Sequence, residues 1–219
     1  MARKAGVVSE ETKIRLLQAA AQEFYSYGYN KSSLRRICQN AQVTTGALYF
    51  FFENKDDLFE AVISLVTVPL KQKLDAHCAS EQELLNPSYF KTVPDLAALR
   101  KQIDNEDEDL EVFHSVIHAY FRNQMIFDIV LQNQTHPAVV KFMEEITALT
   151  EAQVAKLFEL AHCFYPQKEP LDPFAVHRLA QLQIESVLGL ISGNFTEEEA
   201  LFHAKTALKI LRGGFFNLL

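Results

Sequence analysis

Tryptophan is absent from the 219 residues, and the chain holds only seven glycines, seven prolines, three cysteines and three methionines. So few turn-forming residues exclude a turn-rich β architecture and favour long helices. Cys38, Cys78 and Cys163 stand far apart with no paired spacing. That argues against a disulfide framework or a cysteine-rich zinc site and fits a reducing cytoplasm. No apolar run reaches the roughly 18–20 residues that cross a bilayer. The opening "MARKAGVVSEETK" turns polar too early for a signal peptide. A cytoplasmic protein without membrane contact is the expectation. No phosphate-cradling glycine loop and no nucleophile–base constellation is present, so an enzyme is not expected, and no cofactor is implied.

A 48% hydrophobic and 22% charged composition is ordinary for a globular chain. Its net charge of −7 is uneven. Residues 1–55 hold eight Lys/Arg and four acids, a net +4, whereas the remainder holds 13 basic and 24 acidic residues, a net −11. A basic head on an acidic body predicts an anionic partner for the head alone.

Helical periodicity organises the rest. Ser9 can cap a helix with Glu10 and Glu11 in its first turn and Ile14, Leu17, Ala21 and Phe24 along one face. Gly28 should stop it. Ser32 or Ser33 can cap a second helix, "SLRRICQN", with Leu34, Ile37 and Cys38 facing inward and Arg35 and Arg36 largely away. Thr44 can cap a third, "TGALYFFF", in which Leu48 and Phe52 fall together as core and Phe51 as core or boundary. Two short helices joined by a tight turn make a helix-turn-helix. Asn54 opens a fourth helix with Asp56 and Asp57 in its first turn, expected to run to near His77 and to bend at Pro69. Residues 80–111 are looser, and the acidic run "DNEDEDLE" reads as a solvated helix start or loop. Helical patterning returns from Leu110 to about Gln132, Pro137 to Phe164, Pro173 to Leu190 and Thr196 to Arg212, where Gly213 and Gly214 should end it. An all-α chain is expected: a three-helix helix-turn-helix head (1–54) and a larger helical body (55–219).

Gly28-Tyr29, Ser32-Ser33, Ile37, Ala41, Val43, Thr44, Gly46, Leu48-Tyr49, Phe52, Lys55 and Leu58 follow one another in an order and spacing that resemble the DNA-binding region of the TetR family of transcriptional regulators. The detailed resemblance covers the first 60 residues. One departure is Gln42, at the turn position where many members carry glycine; a positive φ there would cost about 1 kcal/mol. The DNA-contact candidates are Ser33, Arg35, Arg36, Thr44, Thr45, Gly46, Tyr49, Phe50 and Lys55. Thr44 and Thr45 offer hydroxyls, and Gly46 allows close backbone approach. Tyr49 and Lys55 can meet phosphates, and Arg35 and Arg36 the flanking backbone or a base edge. Phe50 either touches a thymine methyl or a sugar, or shields the head. Cys38 reads as a small buried residue.

The resemblance implies a body with a small-molecule pocket and a dimer interface. His114, His118, Phe121, Met125, Phe142 and Met143 suit a greasy cavity with a few polar groups, or ordinary core packing. Glu111, His114 and His118 share a helix face, but no nearby ligand completes a metal set, so no metal is assigned. Leu182, Leu190, Leu201, Ala204, Leu208 and Leu211 on the last two helices would meet a second copy as a four-helix bundle. The resulting expectation is a ligand-responsive homodimeric repressor on a palindromic double-stranded DNA operator, released by a small-molecule effector. The alternative is an all-α metal- or ligand-binding interaction protein whose basic head binds an acidic partner.

Overall fold

Short polar side chains at helix starts set the element boundaries of the computed structural model, which describes residues 10–84, 106–167 and 171–218. Among these residues every regular element is an α-helix: α1 (Glu10–Lys31), α2 (Leu34–Asn40), α3 (Thr45–Phe51), α4 (Lys55–Leu84), α5 (Glu106–Arg122), α6 (Gln124–Gln132), α7 (Pro137–Phe164), α8 (Pro173–Ser192) and α9 (Glu197–Leu218). The proposed cap Ser9 and the segment with Pro87 and Pro94 lie outside the described residues.

Four starts show the local chemistry. Thr44 Oγ1 accepts from the Ala47 amide at 3.2 Å and caps α3. Asn54 Oδ1 accepts from the Asp57 amide, while the Asp57 carboxylate accepts from Glu53 N, both at 2.9 Å. Asp172 caps α8 through the Ala175 amide, with Pro173 at the first helical position where a missing N–H costs nothing. At α9, Glu199 accepts from Thr196 N and Thr196 Oγ1 accepts from Glu199 N, a reciprocal capping box.

The chain divides into two compact units, 1–69 with 123–141, and 70–122 with 142–219. In the first, α1, α2 and α3 pack on one another and α6 packs on α1. Its centre is Leu16, Ala20, Phe24, Ile37, Leu48, Leu58 and Phe59, all fully buried. The buried stripe of α1 therefore runs through Leu16, Ala20 and Phe24, whereas the expected Ile14 is 48% exposed. Ile14 lies nearly half a turn from Leu16, outside the arc that α2 and α3 cover. Cys38 is buried, as its size suggested, and burial pushes its thiol up. In the second unit, α5, α8 and α9 pack together around Ile117, Ala180, Ala200 and Ala204. The unit boundary falls at Pro69, inside α4, where the missing N–H removes one backbone hydrogen bond.

Three helix boundaries differ from the sequence pattern, the first being that of α4, which continues past His77 to Leu84. The span expected as one helix from Leu110 is two, because Asn123 leaves helical geometry (φ −131°, ψ 34°) and its carbonyl starts α6 by accepting from Ile126 and Phe127. At the other end, α9 continues through Gly213 and Gly214 to Leu218. Neither glycine takes the positive φ that ends helices.

The turn from α2 to α3 is a Schellman motif: Val43 N donates to Cys38 O (3.0 Å) and Gln42 N to Gln39 O (3.1 Å). Gln42 occupies the left-handed position at φ 56°. A Cβ costs about 1 kcal/mol there. Gln42→Gly is expected to raise the denaturation free energy of the protein by up to about 1 kcal/mol, the relief of strain being partly offset by a more flexible unfolded chain; urea titration followed by circular dichroism measures it.

Candidate nucleic-acid interface

Glycine begins the construction. Gly28 sits at φ 70°, ψ 164°, a conformation open essentially to glycine alone, and swings the chain out of the long first helix. The corner that follows exposes backbone groups that three side chains satisfy. Arg36 Nη2 donates to Lys31 O at 2.9 Å, and Lys55 Nζ donates to Ser32 O at 3.0 Å. Ser33 starts α2 in extended geometry without a side-chain cap; its N–H donates instead to Glu23 Oε1 at 2.8 Å.

Glu23 is 2% exposed, and Arg36 approaches the same carboxylate oxygen with Nε at 2.8 Å and Nη2 at 2.5 Å. The Arg36 guanidinium also lies 4.5 Å from the Tyr27 ring centre. Lys55 lies 4.5 Å from the centre of the Tyr29 ring, and burial lowers its ammonium pKa against the pull of Asp56 and Glu23. Two cations suggested as DNA contacts thus converge on the α1–α2 corner and hold it.

Asp56 closes the other side. Its Oδ1 accepts from the Tyr29 hydroxyl and faces His136 Nε2 at 3.3 Å. The Ala138 amide donates to His136 Nδ1 at 3.2 Å, which puts the imidazole proton on Nε2. His136 packs on Phe59 and Tyr29, with ring centres 4.2 and 4.5 Å apart. The Tyr29 hydrogen bond, with smaller help from His136 and Lys55, holds the Asp56 carboxyl below its ordinary range against some desolvation. Burial first, then the hydrogen bond and charge of Asp56, push the Tyr29 phenol up to about 12.

The arrangement leaves α3 two-faced. Leu48 beneath it is fully buried and Phe52 is 3% exposed, whereas Thr45, Gly46, Tyr49 (57%) and Phe50 (67%) form an open face. Thr44 is exposed at the cap, Arg35 is exposed on α2, and Ser33 is half-buried. Phe51 is at the boundary, its ring 5.1 Å from that of Phe50 and nearly perpendicular to it. Seven residues of helix span about 10 Å, within the roughly 12 Å major groove.

The other candidates separate by unit. Met125 belongs to the first unit, and His114, His118, Phe121, Phe142 and Met143 to the second. His118 Nδ1 lies 2.5 Å from Glu197 Oε1 at the start of α9. Of the expected dimer residues, Leu190, Ala204 and Leu208 are buried within one copy, Leu201 and Leu211 are half-buried and Leu182 is 42% exposed. Phe202 (74%) and Ile210 (71%) on α9 are open apolar positions that the sequence pattern missed. Glu23, Asp56 and His136 were missed as well. Only Glu23 gave a signal, an acid in register with the apolar stripe of α1.

A short helix projecting hydroxyls, bare backbone and aromatic rings from a buried base, beside a basic second helix, is the arrangement of a helix-turn-helix. Residues 16–62 match the bacterial regulatory proteins of the tetR family. AcrR of Shigella flexneri, an HTH-type transcriptional regulator, is 38% identical over 180 residues, covering 78% of this chain and 73% of that protein. BepR of Brucella suis biovar 1 (strain 1330), an HTH-type transcriptional repressor, is 32% identical over 116 residues, covering 53% and 54%. The chain thus spans about half the length of the first curated relatives it matches. The solved structure of the regulator FadR from Bacillus subtilis in complex with stearoyl-CoA shares the fold at 14% identity, with a TM-score of 0.55 over 92% of this chain and 98% of that one. The chain belongs to the TetR family of transcriptional regulators.

Two outcomes follow from the corner. Arg36→Ala should lower the midpoint of urea unfolding, because it strips the charged partner from a buried carboxylate. Tyr29 should ionise near pH 12, seen as the 295 nm absorbance step that Tyr29→Phe removes. The unfolded phenol loses its proton first, near its ordinary pKa of 10. The unfolded state then binds fewer protons than the native one, so stability should fall as pH rises from about 10 to 12.

Proposed function

We propose that this protein is a ligand-responsive, homodimeric transcriptional repressor that binds a palindromic DNA operator and leaves it when a small-molecule effector binds the body. The observation that carries the reading is the open face of α3, Thr45, Gly46, Tyr49 and Phe50, held on a fully buried base. Arg35 on α2 adds an exposed cation for a phosphate. Arg36 and Lys55 serve the interface by setting the α1–α2 corner, and through it the placement of α2 and α3. Ser33 and Thr44 act as helix starts, with Thr44 still open to the backbone of the duplex.

One seven-residue helix reads too few bases for a unique site, so pairing of two copies is a requirement of specificity. Two heads related by a two-fold axis would meet successive major grooves about 34–36 Å apart. Open apolar side chains on the last two helices, among them Leu182, Phe202 and Ile210, support α8 and α9 as the pairing surface. Leu201 and Leu211 flank it, and Leu190, Ala204 and Leu208 hold the two helices together from within. Effector release follows if the ligand favours a spacing of the heads that misses those grooves. The stearoyl-CoA complex of FadR supports a small-molecule site in a body of this fold. His114, His118, Phe121, Phe142 and Met143 are its candidate lining, with Met125 the outlying member.

Selection of bound sequences from a random duplex pool should return a palindrome. On that duplex, Tyr49→Ala and Arg35→Ala should each weaken binding about tenfold, and Arg35→Ala should lower the slope of log K against log salt by about 0.9 per half-site, the loss of one phosphate contact. Recovery of no sequence, or salt-insensitive affinity in every variant, would refute the reading.

A further inference from the structure

The recognition helix has an unusual shortage. From Thr45 to Phe51 it reads TGALYFF, with no Arg, Lys, Asn, Gln, Asp, Glu or His. The two-pronged contacts that read guanine and adenine in a major groove need Arg or Lys for guanine and Asn or Gln for adenine. α3 can make neither. Its open face offers the hydroxyls of Thr45 and Tyr49, the bare backbone of Gly46, and the Phe50 ring, 67% exposed. The nearly perpendicular Phe51 ring supports that phenyl group, its centre 5.1 Å away.

A phenyl ring has neither donor nor acceptor. Among the groups that base pairs display in the major groove, the thymine C5 methyl is the one apolar feature. An exposed phenyl on the reading face can therefore favour one base over the others by burying that methyl, and by little else. We infer that Phe50 is a specificity-determining residue, which selects thymine in each half-site through its methyl group. The inference rests on the DNA-binding reading and extends it to the chemistry of the operator: contacts to thymine methyls in place of guanine forks.

Deoxyuridine is the direct probe, since it lacks the methyl and keeps base pairing and every hydrogen-bonding group. Each thymine of the duplex recovered by selection is replaced in turn, and affinity is measured at fixed salt for the unmodified 219-residue chain and for Phe50→Ala and Phe50→Leu. One position per half-site should weaken wild-type binding roughly fourfold, the worth of one buried methyl group. Phe50→Ala should bind the thymine duplex more weakly by at least that factor and be indifferent to deoxyuridine at the same position. Phe50→Leu, still apolar, should remain sensitive. Because Phe50 lies outside the core, unchanged thermal melting of both variants separates lost contact from lost fold.

Salt-dependent binding with no deoxyuridine-sensitive position would overturn the role of Phe50 and leave the DNA-binding reading standing, as would Phe50→Ala retaining full sensitivity. A pool that yields no bound duplex would overturn both.

Discussion

The buried carboxylate of Glu23 is the constraint on which the head depends. It is 2% exposed, and it receives the Ser33 amide and two nitrogens of Arg36. A carboxylate out of water is costly unless charge and hydrogen bonds replace its hydration. Any arrangement of α2 that fails to deliver both Ser33 N and Arg36 leaves that cost unanswered. The ion pair thus acts on register more than on net stability, tying the middle of α1 to the start of α2. The left-handed turn at Gln42 then carries the chain into α3.

This economy has a consequence for the interface. Arg36 and Lys55 are cations in a basic head, and both bind backbone carbonyls at the α1–α2 corner. The same positive charge that gives the head its long-range attraction for an anion is partly spent on its own folding. Long-range steering needs net charge near the surface, whereas a phosphate contact needs a side chain free to reach it. Exposed Arg35 retains that freedom. What α3 leaves open are hydroxyl and aromatic groups, its inner face giving up Leu48 and Phe52 to the core.

A second set of contacts gathers at Asp56, which accepts from Tyr29 and faces His136 across 80 residues of sequence. Residues 123–141 thereby belong to the same compact unit as the helix-turn-helix. In the other unit, small residues at Ala180, Ala200 and Ala204 let α5, α8 and α9 pack closely, and the bulky apolar side chains Phe202 and Ile210 remain in water. Apolar groups of that size on one helix are costly to hydrate, which is the physical case for a partner surface there.

Local chemistry was legible from the sequence: the caps at Thr44 and Asn54, the break at Gly28, the inward pair Leu48 and Phe52, and the turn position of Gln42 each depend on a few neighbouring residues. Short-range sterics and hydrogen bonding decide such features before any distant contact forms. The family pattern around α2 and α3 was legible for the same reason. Tertiary structure alone decided which face of α1 is buried, and that Arg36 and Lys55 hold a corner. It also decided that His136 joins Asp56, and that Leu190, Ala204 and Leu208 face inward while Phe202 and Ile210 do not. Periodicity marks a stripe as apolar without saying which neighbour covers it, and a charge in a sequence carries no label for its partner; both are settled by which helices meet.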